Sequence, residues 1–411
     1  MGSLDTQISF LDEMTSIAKE KSIVYTPRYY QKEAIDIGVD HLLSGNKPCV
    51  LVEPTGSGKS ILQANIAGKL NDHVLCFSPS KEILEQNFAK LKMYYPDADA
   101  EIFSASMNSK KIGKLTFATI GSVYRKPDLF KHFKYIIIDE CDMGMNAYTD
   151  NMYKQFLTSL GRKPLLGMTA TPFKLYHNSL GAVNRFITRT SPKVFYDIIH
   201  HTQIQTLSDE GYLAKYEYYR VNGFDTNQIR VNSTKTDYVD SSLQAYYKSI
   251  KFDNSILDIS KRLINAGRNH ILVFTKFVDE ARLLAKDLGN IAAIVHGAMP
   301  MAERTQILND FKSGKIKIVC NVGVLVVGFD FPELDTIVLG SPMRSLRQFY
   351  QKVGRGARPH IFKKSTWVID LCQNMNRFCP INDMYLCKDR RGLWQFIDFK
   401  TKRPITNVYF N

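Results

Sequence analysis

The chain has 411 residues, long enough for two or three domains that each bury a core. A composition of 44% hydrophobic and 23% charged residues is typical of a globular protein and argues against a largely disordered chain. The 54 Lys and Arg outnumber the 40 Asp and Glu, and the resulting charge of +14 favours a polyanionic partner, nucleic acid before membrane.

The cysteine pattern and the N-terminal segment indicate a reduced, cytoplasmic protein. Seven cysteines are scattered and never form Cys-x-x-Cys, so we expect neither a disulfide framework nor zinc. Cys372, Cys379, Cys387 and His360 lack the spacing of a zinc site. Residues 1–24 are predicted to form an N-terminal extension that is not a signal peptide, and no apolar run is long enough to predict a membrane span.

Residues 25–203 are predicted to form a first domain. Apolar runs that predict strands lie at 50–52, 74–77, 115–118, 135–138 and 165–168. Between them, segments such as 80–93 repeat apolar residues at helical spacing, which indicates parallel βαβ units. Residues 173–203 show no clean strand pattern, so we expect helical or irregular elements there.

Residues 204–372 repeat this alternation and are predicted to form a second α/β domain. The predicted strands are 216–221, 271–274, 292–295, 316–320, 336–339 and 367–371. The predicted helices are 256–266, 279–288, 301–312 and 345–353. Residues 223–240 are polar and predict a surface excursion, and residues 373–411 form a short basic extension. The predicted fold is therefore α/β, with two parallel-sheet domains in tandem.

A glycine-rich turn at residues 53–60 follows the first predicted strand and precedes a helix that opens at Gly58. Its glycines let backbone N–H groups close around a phosphate, whose charge the helix N-terminus favours. Lys59 is placed to reach the β- and γ-phosphates of ATP and Ser60 to hold Mg²⁺, although Glu53 occupies the slot where the pattern begins with Gly. The predicted ATP contacts in this turn are Thr55, Gly56, Ser57, Gly58, Lys59 and Ser60.

Two carboxylates end the apolar run at 135–138. Asp139 suits a Mg²⁺ ligand that binds through water, because Mg²⁺ keeps several waters. Glu140 suits the general base that deprotonates the attacking water. Together with the glycine-rich turn, the pair predicts a nucleotide hydrolase. Because only the first domain carries such a turn, we expect the nucleotide in a cleft between the two domains.

A basic motif at residues 351–358 adds a third catalytic element. Arg355 and Arg358 are three residues apart and would project from one face of a helical turn that also contains Gln351. Guanidinium groups from a second domain can stabilise charge on a transferring phosphoryl group. We therefore count Gln351, Arg355 and Arg358 among the candidate catalytic residues.

In this order, the motifs resemble those of the superfamily 2 helicases and translocases of the DExH/DECH kind. The matching segments are 28–31, 53–60, 77–80, 119–122, 139–142, 169–171, 273–275, 321–332 and 351–358. The resemblance covers roughly residues 25–372. It implies two RecA-like domains, with ATP in the cleft between the two domains, and a nucleic-acid-stimulated ATPase that uses Mg²⁺.

The resemblance also assigns residues that the local patterns do not. It implies that Arg28, Gln31, Gly328 and Asp330 contact ATP, Gln31 by reading the adenine. It implies that Thr169, Ala170 and Thr171 couple hydrolysis to movement. The implied contacts to the nucleic-acid backbone are Ser78, Thr119, Gly121, Thr275 and Asn321. Lysines that could add a salt-dependent attraction are Lys110, Lys111, Lys114, Lys126, Lys363 and Lys364.

Within the superfamily the chain looks most like the RadD-type DNA-repair helicases. The similarity lies in residues 80–87, 168–175, 211–213, 321–330 and 350–356. It implies a DNA-repair or recombination ATPase, a monomer working near single-stranded DNA and its binding protein. In the sequence, Asp142 stands where the DECH form has His, which questions how hydrolysis is coupled to movement. The cysteine-rich tail of cellular members is absent, so a compact form of this kind could act in a phage-infected cell as well as in the bacterial cytoplasm.

Two other functions fit parts of the pattern. One is an RNA helicase of the DEAD-box kind, which typically has Ser-Ala-Thr where this chain has 169–171 and His-Arg-x-Gly-Arg where it has 351–355. The other is a non-enzymatic adaptor that uses ATP only as a conformational clamp. Glu140 argues against the clamp, because a clamp needs no general base.

Overall fold

The apolar runs and amphipathic segments form alternating strands and helices in a computed structural model of the protein. The structure describes residues 26–45, 47–144, 151–324 and 331–410. The described chain divides into two compact units, the first made of residues 26–172 and Ile187–Thr202, the second of Phe173–Phe186 and residues 203–410.

Up to residue 202, strands and helices alternate along most of the chain. The strands are β1 (Cys49–Val52), β2 (Val74–Phe77), β3 (Ala100–Ser104), β4 (Ser109–Lys110), β5 (Leu115–Ala118), β6 (Tyr135–Asp139), β7 (Leu165–Thr169), β8 (Phe173–Asn178), β9 (Gly181–Phe186) and β10 (Ile198–His201). The helices are α1 (Tyr29–Leu43), α2 (Lys59–Leu70), α3 (Lys81–Tyr94), α4 (Ile120–Val123), α5 (Cys141–Gly144) and α6 (Met152–Leu160).

From residue 203 the alternation resumes and ends in three short strands. The strands are β11 (Tyr216–Arg220), β12 (Ile271–Phe274), β13 (Ala292–His296), β14 (Ile318–Val322), β15 (Thr336–Leu339), β16 (Thr366–Asp370), β17 (Met384–Lys388), β18 (Trp394–Asp398) and β19 (Tyr409–Phe410). The helices are α7 (Ile204–Asp209), α8 (Asp240–Ser249), α9 (Phe252–Asn265), α10 (Val278–Leu288), α11 (Met301–Lys312), α12 (Leu346–Gly354) and α13 (Asn374–Phe378).

The first unit is built on an eight-stranded sheet in the order β10-β1-β7-β6-β2-β5-β3-β4. All neighbours pair parallel except β4, which runs antiparallel to β3. Val52 pairs with Thr169, and Asp139 pairs with Met168. The carboxyl ends of β1, β7 and β6 therefore lie side by side at one edge of the sheet.

The second unit is built on a six-stranded sheet in the order β11-β16-β15-β12-β14-β13, and every pair is parallel. Its central strands are fully buried, as the apolar runs predict. The prediction of an α/β fold with two parallel-sheet domains is confirmed. Predicted strands at 74–77, 115–118, 271–274 and 336–339 match the observed bounds to the residue.

Residues 173–203 differ from the prediction, which was wrong in expecting no strand there. β8 and β9 form an antiparallel hairpin, β9 also pairs with β19, and β10 joins the first sheet beside β1. The hairpin belongs to the second unit, whereas the predicted first domain ran to residue 203. A strand whose partner lies more than 200 residues away leaves no local pattern in the sequence.

Two further segments depart from expectation. Phe224, Ile229 and Tyr238 are buried in the core of the second unit, although residues 223–240 were predicted to form a polar surface excursion. The predicted C-terminal extension carries an antiparallel β17–β18 hairpin and β19, and its described residues belong to the second unit.

Within the described residues, no helix is long and apolar enough to cross a membrane. The same residues contain no group of three or more His, Cys, Asp or Glu side chains placed to hold a metal ion. All seven cysteines lie in the described part of the chain, and none of them forms a disulfide. The expectation that zinc plays no part stays a prediction.

Candidate active site

The glycine-rich turn links β1 to α2 in the conformation that its sequence predicts. Gly56 and Gly58 have φ of +88° and +99°, in the left-handed region that favours glycine. Gly58 caps α2, and its carbonyl accepts hydrogen bonds from the N–H groups of Ile61 and Leu62. A Cβ atom at Gly58 would lie 2.5 Å from Gln31 Nε2, so a side chain there would displace the Gln31 amide.

The first turn of α1 supports the glycine-rich turn through hydrogen bonds. Tyr30 Oη and Gln31 Nε2 donate to the Ser57 carbonyl at 2.9 and 2.7 Å. Gln31 Oε1 accepts from the Arg28 N–H at 2.9 Å, so both ends of the buried amide bond to backbone. In the structure, Gln31 therefore positions the glycine-rich turn. The ATP contacts implied for Gln31 and for the exposed Arg28 stay predictions.

The chemistry of the turn fits a triphosphate with its magnesium ion. Among the described residues, the buried hydroxyls of Thr55 and Ser57 have no hydrogen-bond partner. Lys59 and Ser60 are half-buried at the start of α2, where backbone N–H groups lack helical partners. Hydroxyl and N–H donors around a cation are what phosphate oxygens require.

Lys59 and Glu140 come together because β1 and β6 end at the same edge of the sheet. Lys59 Nζ lies 3.7 Å from Glu140 Oε1, and both side chains are nearly buried. Glu140 has a φ of +46°, which is uncommon for a residue with a side chain and turns its carboxylate away from the line of β6. The structure therefore brings the predicted phosphate-binding cation and the predicted general base together.

Asp139 is held by a chain of hydrogen bonds that the sequence motifs did not indicate. Its Oδ1 accepts from the Glu140 N–H at 2.9 Å, and its Oδ2 accepts from Asn87 Nδ2 at 3.0 Å. Burial raises the pKa of Asp139, and the Lys59 charge and the Asn87 hydrogen bond act in the opposite direction. A polar Asn between Leu84 and Leu91 on the buried face of α3 was the signal that could have identified this residue.

Ser78 also belongs to this network rather than to the surface. Its Oγ accepts from Asn87 Nδ2 at 3.1 Å, and the residue is 1% exposed. The implied contact between Ser78 and a nucleic-acid strand does not agree with this burial. Asn87 explains the position, because it bridges the end of β2 to the Asp139 carboxylate.

Asp142 joins the carboxylate segment to the end of β7. Its Oδ1 accepts from Thr169 Oγ1 at 2.6 Å, and its Oδ2 accepts from Thr171 Oγ1 at 3.2 Å. Both threonines and the intervening Ala170 are buried. Although Asp replaces the usual His, the two motifs are directly connected, because the Asp142 carboxylate accepts hydrogen bonds from two hydroxyl groups.

Glu53 replaces the first glycine of the turn and lies fully buried beside β10. His200 Nδ1 is 2.8 Å from Glu53 Oε1, and Thr202 Oγ1 donates to the same oxygen at 3.1 Å. Burial raises the pKa of Glu53; burial would lower the pKa of His200, but the bond to Glu53 and its charge raise it instead. Sequence reasoning missed this pair because β10 was not predicted.

The arginine motif lies in the second unit on α12 and just beyond it. Arg355 is buried, and its Nε and Nη2 donate to the carbonyl and side-chain oxygens of Gln351, both at 3.3 Å. Arg358 is half-buried. The candidate ATP contacts Gly328 and Asp330 lie outside the described residues.

The implied strand contacts divide into buried and surface residues. Thr275 and Asn321 are 4% and 0% exposed, and the Thr275 N–H extends the β12–β14 ladder by donating to the Asn321 carbonyl at 3.2 Å. Their side chains lie below the surface, which differs from the implied strand contact. Thr119 is half-buried at the start of α4 and Gly121 is exposed, so both are accessible to a strand.

Lys363 is another correction among the predicted lysines. Its Nζ donates to the carbonyls of Leu334 and Gly356, both at 3.1 Å, and the residue is buried. Burial lowers its pKa to about 8. Lys363 therefore fixes the chain around itself and does not offer a surface charge to nucleic acid.

The chain matches two protein families. Residues 24–174 match the family described as "Type III restriction enzyme, res subunit". Residues 255–360 match the family described as "Helicase conserved C-terminal domain". The first match includes β1–β7 and the glycine-rich turn, and the second includes β12–β15 and the arginine motif.

Known proteins resemble the chain over most of its length. A "51.5 kDa protein" of a Lactococcus phage is 26% identical over 79% of this chain and 66% of its own length. The "Putative ATP-dependent helicase IRC3" of Saccharomyces cerevisiae is 24% identical over 88% of this chain and 54% of its own. The chain thus spans less than two thirds of either relative. A solved structure, "ATP-dependent Type ISP restriction-modification enzyme LlaBIII bound to DNA", shares the fold with a TM-score of 0.64 and 16% identity over 84% of this chain and 28% of its own.

Proposed function

We propose that the chain, which belongs to superfamily 2 of the helicases, hydrolyses ATP and uses the cycle to move along single-stranded or branched DNA. The observation that carries the proposal is the edge of the first sheet. There Lys59 lies 3.7 Å from Glu140, and Asp142 binds the hydroxyls of Thr169 and Thr171. A phosphate-binding cation, a general base and a link to the next strand end meet at one place.

Each residue at this edge has a chemical role in hydrolysis. Lys59 binds the β- and γ-phosphates, and Glu140 orients the attacking water and accepts its proton. Asp139 and Ser60 would hold Mg²⁺, which, when bound, neutralises charge on the phosphates. Both Asp139 oxygens accept hydrogen bonds from the protein, so its contact to the ion through water fits the geometry.

Coupling to movement rests on Asp142 and on the arginines of the second unit. Asp142 follows Glu140 by two residues, so a shift of the carboxylate segment pulls on Thr169 and Thr171 at the end of β7. Arg355 and Arg358 are proposed to stabilise charge on the transferring phosphoryl group, as arginine fingers do. Gln351 orients Arg355 through two hydrogen bonds.

DNA is the proposed track. The net charge of +14 favours a polyanion, and the solved structure of similar fold is named as bound to DNA. Thr119 and Gly121 are the accessible candidate contacts. The RadD-type resemblance supports a role in DNA repair or recombination, as a monomer beside a single-strand-binding protein, in a bacterial or phage-infected cytoplasm.

The test compares ATP hydrolysis with four polymers in parallel: single-stranded DNA, duplex DNA, forked DNA and RNA. We expect the largest stimulation by single-stranded or forked DNA and none in Lys59→Ala. Stimulation by RNA alone would replace the proposal with an RNA helicase. Nucleotide binding without hydrolysis under any condition would replace it with an ATP-gated adaptor.

The mode of DNA binding has a separate signature in salt. Backbone contacts release counterions, and on single strands log affinity should fall against log salt by about 0.7 per phosphate contacted. We expect a slope that reports several phosphates and little dependence on base sequence. A flat salt dependence would contradict backbone tracking.

A further inference from the structure

A cavity of about 360 Å³ lies at the carboxyl ends of β11, β16 and β15, entirely within the second unit. Ligands of parallel α/β sheets bind at this end of the strands, and the volume is within the usual range of small-molecule sites. Segments that follow the three strands contribute Tyr238, Met343 and Asn374. The β9 residue Asn184 and the last described residues complete the wall, including Tyr409 and Phe410.

The charge of the cavity wall is positive. Arg377 and Arg403 are among its lining residues, and none of the lining residues is Asp or Glu. Arg403 Nη2 donates to the carbonyls of Asn376 and Arg377, which fixes its guanidinium. The Arg377 guanidinium lies 5.1 Å from the centre of the Phe410 ring and is half-buried. Asp370, beneath the wall, is fully buried and accepts N–H groups from Asn374 and Met375, so its carboxylate is already bound.

Two buried donors at this place have no acceptor among the described residues. Arg344 is 2% exposed; its Nε donates to the Lys235 carbonyl at 2.8 Å, but its Nη2 has no partner. Asn184 is 1% exposed; its Oδ1 accepts from the Leu346 N–H, but its Nδ2 has no partner. Buried polar groups are normally bonded, and both groups can only donate. A ligand that supplies acceptor oxygens would satisfy both donors.

Arg344 and Arg377 approach the same ring. The Arg344 guanidinium lies 5.1 Å from the centre of Phe410 and 5.6 Å from that of Tyr238. Burial lowers the pKa of Arg344 and the Arg377 charge acts in the same direction, whereas Tyr238 and the Asp237 charge act in the opposite direction. Two like charges beside one cavity disfavour each other, and an anion placed next to them would relieve the repulsion.

The aromatic wall indicates what the anion is attached to. Phe410, Tyr238 and Tyr409 line the cavity, and Tyr409 Oη is fixed at 2.8 Å by Asn178 Nδ2 and by Arg185 Nη2. Proteins bind nucleotides with aromatic side chains beside a positively charged surface, because every base can stack on an aromatic ring while the phosphate contacts the charge. A phosphate group alone would not need this wall.

We propose that this cavity binds one nucleoside phosphate unit, with the phosphate toward the lining residue Arg377 and the base against the aromatic wall. The unit can come from a single strand or from a mononucleotide, since both present the same chemistry. The site lies outside the ATP-hydrolysing edge of the first unit, so its binding does not depend on hydrolysis.

The test measures binding of three probes by titration calorimetry: inorganic phosphate, dTMP and a short dT strand. A saturating non-hydrolysable ATP analogue keeps the phosphate-binding turn filled. The variants are Arg377→Gln and Arg377→Lys, and the matched control is Arg262→Gln, whose side chain is 73% exposed on α9. Because Arg377 is half-buried, its variants should fold. Asn184→Leu, which removes a buried donor, gives an independent second variant.

Arg377→Gln should weaken binding about tenfold to a hundredfold, the usual effect of losing a charged hydrogen bond. Arg377→Lys should restore the affinity only in part, because a point charge lacks the planar fork.

The outcomes for the two nucleotide probes identify the source of the ligand. A loss of affinity for both dTMP and dT supports the site for both sources. A loss for dT alone assigns the site to the strand, and a loss for dTMP alone assigns it to mononucleotides. Unchanged affinity for both in Arg377→Gln and Asn184→Leu would overturn the proposal. Inorganic phosphate binding as tightly as dTMP would overturn the nucleotide assignment. Neither result bears on ATP hydrolysis, so the proposed function is tested separately.

Discussion

The carboxyl-end edges of the two parallel sheets differ in how their charged groups are satisfied. At the first edge, Lys59, Asp139 and Asp142 are each bound to protein groups of opposite or complementary character. The unpartnered atoms there among the described residues are acceptors or hydroxyls, namely Glu53 Oε2, Thr55 Oγ1 and Ser57 Oγ. At the second edge, Arg344 retains a donor without a partner among the described residues, as does Asn184. At the first edge the charged side chains are held in place by other protein groups, whereas at the second edge two buried donors could bond to the acceptor oxygens of a ligand. The proposed hydrolysis and the proposed ligand binding are thus assigned to corresponding edges of two similar sheets.

The largest expected effect tests the chemistry of the first edge. Glu140→Gln should keep Mg·ATP binding and lose turnover by roughly 10²- to 10⁴-fold, because the amide cannot accept the proton of water. Lys59→Ala should lose both binding and turnover. The measurement is DNA-stimulated ATP hydrolysis beside equilibrium nucleotide binding. Asp128→Asn, at a side chain 82% exposed in the same unit, is the control. If Glu140→Gln hydrolyses ATP at the wild-type rate, Glu140 is not the general base and the first edge is not the catalytic site.

The arginine motif tests whether the second unit also takes part in hydrolysis. Arg358→Ala and Arg355→Ala should lower stimulated turnover on the order of 10³-fold while leaving ATP binding largely intact. Lysine should not restore turnover at either position, because the planar fork is lost. Circular dichroism checks that Arg355→Ala folds, since this change also removes two bonds to Gln351. If both variants hydrolyse ATP normally but bind DNA poorly, the motif belongs with the binding groups of the second unit.

A smaller effect is expected from the link between Asp142 and β7. A double-mutant cycle of Asp142→Asn and Thr169→Val should give a coupling free energy of about 1–2 kcal/mol, because the two groups share a buried hydrogen bond of 2.6 Å. Chemical denaturation of each variant measures it. The pair Asp142→Asn and Asp128→Asn should be additive. If the free-energy changes of Asp142→Asn and Thr169→Val are also additive, the hydrogen bond between Asp142 and Thr169 does not couple the two segments.

A pH-dependent effect concerns a buried carboxylate of the second unit away from its cavity. Burial raises the pKa of Glu280 from 4.5 to about 8, and Glu280 Oε1 has no partner among the described residues. Between these pH values the folded chain holds a proton that the unfolded chain has released, so the free energy of unfolding falls as pH rises. Relative to Glu280→Gln, wild type should lose on the order of 1 kcal/mol per pH unit in this window.

Urea denaturation at pH 5, 6.5 and 8 measures this loss, with Asp279→Asn as the control because its side chain is 94% exposed in the same helical turn. The control should follow the wild-type profile. If the free energy of unfolding varies with pH in the same way in wild type and in Glu280→Gln, then burial does not raise the pKa of Glu280. Glu280 would then not differ in this respect from the hydrogen-bonded carboxylates Asp139 and Asp142 of the first edge.

Local chemistry is what the sequence by itself determined. The glycine-rich turn was predictable because positive φ angles, a following helix and Lys59 are encoded within eight residues. Fully apolar runs such as 271–274 predicted buried parallel strands because both faces of the sheet are covered. The alternation of these runs with amphipathic segments was enough to predict an α/β fold in two halves.

Only the tertiary structure decided which distant groups meet. Asn87 reaches Asp139 and Asp142 reaches Thr169 because parallel pairing places the ends of separate strands side by side, and no local spacing encodes this contact. The pairing of β9 with β19 was missed because the two strands are more than 200 residues apart in the sequence. Burial, which moved Ser78 and Lys363 from predicted contacts into the interior, is likewise a property of the folded chain, since it depends on everything that packs around a side chain.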